Sequence, residues 1–374
     1  MPDVSAAPHD CPLPRPASRP GPLAAAVVVA ALTAALAVSL IAGTALGGAT
    51  IAFGDALRFL WAALTGGDLS FEEVTGYQIV WRIRAPRVLL AALVGAALSA
   101  CGAVTQALVR NVLADPFILG VSAGASVGAV SVTIVLGGFS TLGLAALAAT
   151  SNTVLVAVGA FLGAIASSAL VWFTAHRGSA GVSPVRLVLT GVVIASGLQA
   201  LMAVIIYLVP DTESTATVLF WTMGSFGAAA WGLLPPVAAM TLLSLLLFAR
   251  HAATLDVLAQ GDEAAAGLGV DPNRARRALF AVVSLAAAAA TAVSGAIGFV
   301  GLVVPHVVRM IVGASHRRLL LVAPFIGAIF MIWVDVAART IAAPRELPLS
   351  AITALVGVPL FIVLLRRRGE VLGA

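Results

Sequence analysis

Apolar positions in this chain gather into long uncharged runs separated by short, arginine-bearing polar stretches. The clearest run is 88–109, free of charge and bracketed by Arg87 and Arg110. At 1.5 Å rise per residue such a run is about long enough to cross ~30 Å of hydrocarbon as a helix. Arg82, Arg84 and Arg87 stand ahead of it, and a polar turn, Arg110-Asn111-Val112-Leu113-Ala114-Asp115-Pro116, leads at once into the next apolar segment. The pattern reads as a helix entering a membrane, a tight turn, and a helix returning.

Elsewhere the same logic predicts spans over 23–44, 119–136, 153–174, 187–209, 231–249, 278–298, 299–313, 319–341 and 348–365, closed by Arg366-Arg367-Arg368. Residues 1–22, rich in Pro, Ala and Ser, read as a disordered tail, and 369–374 as a second one. The first span has no small-residue cleavage site followed by a soluble domain, so it reads as a retained helix. An amphipathic stretch over 51–64, around Asp55 and Arg58, suits the membrane surface. A short helix outside the bilayer is predicted over 215–226. The fold class is therefore all-α, a polytopic membrane protein of about ten helices, forming one domain over 23–368 with a cytoplasmic loop at 250–277.

Composition agrees and adds orientation. The 374 residues are 61% hydrophobic and 10% charged, against about 25% charge in soluble domains, with mean hydropathy +1.08. All 21 basic side chains are arginine. Without lysine the chain has neither a Walker A phosphate lysine nor a Schiff-base amine. Its two cysteines, Cys11 and Cys101, make no disulfide framework, and Cys101 reads as packing. Ten spans put both termini on one side. The positive-inside rule makes that side cytoplasmic, with 15 of the 21 arginines there and Arg58, Arg82, Arg84, Arg87, Arg339 and Arg345 outside.

Four features could carry chemistry. Gly120-Val121-Ser122-Ala123-Gly124 is formally a hydrolase elbow, but it begins a membrane helix and reads as a small-residue packing face. Asp335 is a carboxylate well inside a span, the usual mark of a proton relay. Arg339 lies four residues on, on the same face, so a structural ion pair near the outer surface is the preferred reading. In 258–272, Asp262 and Glu263 suit a helix N-terminus, Gly267 and Gly269 end it after about two turns, and Pro272 blocks its resumption. So short a helix is marginal alone, which favours a docking element over a solvated connector. The outer arginines Arg84, Arg87, Arg339 and Arg345 are either headgroup anchors or a rim that grips carboxylates of an extracytoplasmic partner. A weak echo between 99–104 and 293–297 fits an inverted repeat or simple small-residue packing.

Several ordered blocks together resemble the FecCD-type, BtuC-like permease family. They are Arg84-Ala85-Pro86-Arg87, Gly95-Ala96-Ala97-Leu98, Asn111-x-Leu113-Ala114-Asp115-Pro116, Trp221-x-Met223-Gly224-Ser225-Phe226 and Gly261-Asp262-Glu263-Ala264-Ala265 with Leu268-Gly269-Val270. Ser294 to His306 with Arg309, His316-Arg317-Arg318, Asp335-x-x-Ala338-Arg339 and Glu346-Leu347-Pro348 continue the likeness. The family comprises membrane subunits of ATP-driven importers of ferric siderophores, haem and cobalamin in the bacterial cytoplasmic membrane.

The resemblance implies a type II importer: two permease subunits around a central path, ABC ATPase subunits on the cytoplasmic side and a substrate-binding protein above. It makes Arg84, Arg87 and Arg339 docking residues for the binding protein. Gly261, Asp262, Glu263, Ala264, Ala265, Leu268 and Gly269 become the ATPase-coupling helix, and Asn111 and Leu113 a cytoplasmic gate. Val112 stands where the family usually has proline, which predicts a looser turn. No catalytic residue, metal site, cofactor or nucleic-acid partner is expected. An iron–siderophore permease is the first reading, haem or cobalamin the next. An ion-coupled secondary transporter and a membrane hydrolase acting through Ser122 are the other classes.

Overall fold

The computed structural model describes residues 22–48, 51–67, 70–141, 152–176, 182–208 and 222–372. Among these the regular elements are helices, with no strand. In chain order they are α1 (Pro22–Ala45), α2 (Phe53–Thr65), α3 (Val74–Gln78), α4 (Ala85–Val109), α5 (Val121–Thr141), α6 (Asn152–Ala175) and α7 (Pro184–Leu208). After α8 (Leu234–Arg250) come two short helices, α9 (Ala252–Leu258) and α10 (Asp262–Gly267). Then follow α11 (Pro272–Ser294), α12 (Val300–Val312), α13 (His316–Thr340) and α14 (Leu349–Leu372). Seven helical stretches are long and apolar enough to span a membrane, and three shorter apolar helices at 121–135, 300–312 and 349–363 accompany them. Ten apolar helices is the number the hydropathy pattern predicts.

The bundle is organised around α4, in which 21 of 25 residues are buried. A single turn of wider π-helix, Ile79–Arg84, leads into it without a break, and the Trp81 carbonyl, five residues before Pro86 with its missing N–H, accepts from Trp231 Nε1 at 2.9 Å. At the far end Arg110 takes the left-handed conformation, φ 55°, and closes the helix. Lipid supplies no hydrophobic drive between helices, so they associate through close packing and hydrogen bonds. The glycines of α4 supply that closeness. A Cβ on Gly95 would collide with the Gly327 carbonyl of α13, and one on Gly102 with the Gly301 carbonyl of α12. Ser99 donates to the Ala323 carbonyl of α13 at 2.9 Å. Gly124 and Gly128 of α5 meet Gly163 and Gly159 of α6 in the same way, a small-xxx-small seam on both helices.

Differences from the sequence reading cluster at polar ends. The stretch 250–277 is not a simple loop, since it holds α9, α10 and the first turns of α11. Pro272 does not block a helix but opens one. Asp271 caps α11 by accepting from the N–H groups of Asn273 and Arg274, and proline at the first position loses no bond. α14 runs through the arginine triplet to Leu372 instead of stopping there. The echo of 99–104 in 293–297 pairs mid-helix residues with the break between α11 and α12, so the two are not equivalent elements. The tail at 1–21, Arg177 and all but the end of 215–226 lie outside the described residues.

Candidate functional site

Three arginines meet at the end of the bundle where α4 begins. Helix α1 ends there with its last carbonyls lacking helical partners, a negative dipole end that suits cations. Arg84 donates to the carbonyls of Thr44 (3.2 Å) and Ala45 (2.7 Å). Arg339 donates to those of Gly43 and Leu46, both at 3.0 Å. Two cations from distant helices thus cap one helix. Arg87 faces the other way. Its Nε donates to Asp335 Oδ1 at 2.8 Å, while its two terminal nitrogens hold Glu346 in a fork at 2.7 and 2.9 Å. Arg339 Nε lies 3.0 Å from Asp335 Oδ2, but its N–H is aimed at the Asp335 carbonyl, so that pairing is electrostatic. Asp335 is fully buried and the three arginines are 5–8% exposed. Together with Gly48, Ile83, Ala343, Pro344 and Glu346 the three arginines line a cavity of about 510 Å³.

The opposite end of α4 carries the second cluster. A 25-residue helix is about 37 Å long, so the two clusters lie at opposite ends of the bundle. Asp262, first residue of α10, accepts from Arg276 of α11 at 2.8 Å and lies 3.8 Å from Arg110. Gly261 ahead of it has φ 122°, a conformation that excludes a side chain. Gly269 (φ 79°) ends the unit, its N–H donating to Ala266 and that of Val270 reaching back to Ala265. Ala265 is buried against the bundle, while Glu263, Ala266 and Leu268 face outward, Leu268 65% exposed. Beside it α9 presents Asp256, whose Oδ1 accepts from both the backbone N–H and Nδ1 of His316 at 2.8 and 2.7 Å. That carboxylate holds the N-terminus of α13.

Between these lies the turn after α4. Asn111 Oδ1 accepts the Leu113 N–H at 2.9 Å, and Asn111 O accepts from Ala114. The turn at Val112 is therefore closed by an asparagine side chain where proline would close it by ring geometry. Asp115 caps the next short turn through Phe117 N–H, and burial pushes its carboxyl up to about 6. Ser122 sits in the first turn of α5. The neighbouring glycines serve packing, Gly124 against Gly163 and the Gly120 carbonyl accepting from Ser167 at 2.9 Å.

Residues 27–367 match the FecCD transport family. The chain belongs to the FecCD transport family. It is 39% identical over 88% of its length, and 90% of the relative's, to an uncharacterized ABC transporter permease protein, YvrB, of Bacillus subtilis. Against the hemin transport system permease protein HmuU of Yersinia pestis identity is 37%, covering 87% and 92%. A solved structure described as an inward-facing conformation of a metal-chelate type ABC transporter superposes with TM-score 0.76 at 28% identity, covering 91% of this chain and 99% of that one. Further relatives are named for import of Fe(3+)-citrate, iron(3+)-hydroxamate and cobalamin.

A FecCD permease is the membrane subunit of an ABC importer, a transport component and not an enzyme. Within that frame the structure brings Arg84, Arg87, Arg339 and Asp335 together and sets Asn111 and Leu113 beside the α10 cluster. It corrects the outer arginines in one respect. Arg84, Arg87 and Arg339 are turned inward onto carbonyls or carboxylates, whereas Arg345 is exposed. The ion pair of Asp335 is larger than the Arg339 partnership predicted. Glu346, Asp256 and Arg276 escaped sequence reasoning as site residues. Glu346 had a signal, opening the Glu346-Leu347-Pro348 motif, whereas Asp256 and Arg276 looked like ordinary charges of a cytoplasmic loop.

Proposed function

We propose that this permease carries a ferric chelate of the siderophore type across a bacterial cytoplasmic membrane, with both termini on the cytoplasmic side. A substrate-binding protein delivers the chelate at the arginine cavity, and ATPase subunits work on α10. The observation that carries this reading is the placement of the two clusters at opposite ends of α4, one a cavity lined by three guanidiniums, the other a short helix with an uncovered leucine. A carboxylate of the binding protein entering the cavity meets Arg84 and Arg339 and competes with Glu346, which is 35% exposed, for Arg87. Charge pairing of this kind sets register and on-rate. On the other face Glu263 and Leu268 offer the ATPase an acid and an apolar anchor, and Asn111 and Leu113 form the gate turn beside it.

A second permease subunit fits α7, whose exposed Gln199 is disfavoured against lipid and suits a partner helix or a wetted path. The iron-named relatives favour a ferric chelate, with haem and cobalamin as the second reading. An ion-coupled carrier is disfavoured because Asp335, the acid a relay needs, is already matched by Arg87 and Arg339. The test is uptake by cells stripped of other chelate permeases, offered ferrichrome, ferric citrate, haemin or cobalamin. A ferric chelate enters if the reading is right; entry of cobalamin or haemin alone selects the second reading.

A further inference from the structure

We infer that Arg276 is a positioning residue that transmits displacement of α10 to the foot of α7. The inference rests on the proposed seating of an ATPase on α10. Arg276 lies in the second turn of α11 and is 2% exposed. One terminal nitrogen donates to Asp262 Oδ1 of α10 at 2.8 Å, and the other donates to the Val182 carbonyl at 3.0 Å. Val182 is itself buried and stands two residues before Pro184, the first residue of α7. A single planar guanidinium thus joins the short cytoplasmic helix to the entry of a membrane helix.

The two helices it joins differ in freedom. In the most apolar stretch of α7 6% of residues are buried within the chain, the lowest of the seven spans, against 78% for the stretch containing α4. Gly191, in the first turns of α7, packs against the Ile118 carbonyl, and beyond it the sparsely covered helix is free to pivot, whereas α4 is held by close glycine contacts at both Gly95 and Gly102. Asp262 also faces Arg110, at the gate turn, but at 3.8 Å that is beyond a hydrogen bond. The tighter route from α10 therefore leads to α7. Arg276 Nε is buried with no hydrogen-bond partner among the described residues. A buried guanidinium with an idle donor is a poor device for stability alone. It is a good two-ended link, because its fork fixes both acceptors in one plane.

The test uses the full complex with its ATPase subunits in lipid nanodiscs. Spin labels replace Val193 on α7 and Leu321 on α13, both outward-facing, in a Cys11→Ser, Cys101→Ala background. Interlabel distances are measured with and without ATP–vanadate. The wild type is expected to show a nucleotide-dependent change, and Arg276→Gln to show less than half of it while still trapping nucleotide. A purely structural role predicts fewer assembled complexes with an undiminished change in those that assemble. Arg276→Lys keeps the charge and one of the two contacts, so it carries the test if the glutamine variant fails to assemble. A wild-type-sized change in every variant that assembles overturns the link. Labels that fail to respond to nucleotide in the wild type, with the ATPase bound, overturn the reading of α10 on which the link depends.

Discussion

Arg87 and Asp335 lie 248 positions apart in the chain and meet at 2.8 Å where Asp335 has no exposed surface. When either is removed Asp335 keeps Arg339 and Arg87 keeps Glu346, so the loss falls below that of a fully uncompensated buried charge, at about 1–3 kcal/mol. We predict losses of that order for Arg87→Ala and Asp335→Ala in equilibrium unfolding from detergent micelles. The double variant should be more stable than the sum of the singles implies, by at least ~1 kcal/mol. Additivity within ~0.5 kcal/mol would mean the two residues act independently.

The glycine contacts of α4 make a second prediction. Gly102→Ala forces α4 away from Gly301, and overpacking of this kind costs roughly 1–3 kcal/mol. Gly197→Ala on α7 meets nothing within 4 Å and should change stability by no more than about 0.5 kcal/mol. Thermal unfolding of the two variants side by side decides whether backbone approach, and not helix propensity, governs these positions.

Asp115 predicts a pH dependence. Its carboxyl, about 3.8 when free, is pushed to about 6 by burial, against the opposing hydrogen bond from Phe117. The folded state therefore holds the proton more tightly than the unfolded state. Its stabilising contribution is fully present below pH ~3.8 and is lost as pH rises through ~6. Asp115→Asn keeps the capping acceptor without the titration, so the stability of wild type relative to the variant should fall as pH rises through that window. A difference curve without slope between pH 4 and 7 would show that this carboxyl is solvated.

If α10 seats an ATPase, Leu268→Asp should weaken ATPase binding at least tenfold. Its side chain touches no core, so the unfolding temperature should stay within about 2 °C of wild type. Asp262 is the wrong residue for this test, because changing it also releases Arg276. Pull-down of the ATPase with each purified variant gives the answer, and undiminished capture by Leu268→Asp would make α10 a connector.

Much of this architecture was legible beforehand, for stated reasons. Charge-free runs of about twenty residues have few uses outside a membrane, so the spans fell where predicted, within a few residues. What escaped depends on partners distant in sequence. Parity placed Arg84, Arg87 and Arg339 on one face, but the carbonyls of residues 43–46 that turn two of them inward belong to another helix. Glu346 gained its role only when a turn brought it to Arg87. Helix α9 escaped because seven residues carry too little periodicity to read, and Pro272 was misread because the cap at Asp271 converts a stop into a start.

The claim that most needs testing is that this chain is the passive membrane partner of an ATP-driven importer. The direct measurement is uptake of a radiolabelled ferric chelate into proteoliposomes holding the permease, its ATPase and its binding protein. Uptake should require all three components and ATP, and should vanish with a hydrolysis-deficient ATPase whatever proton or sodium gradient is imposed. Purified permease alone should hydrolyse no ATP, consistent with a chain that has no lysine. Gradient-driven uptake by the permease without the ATPase would contradict the account.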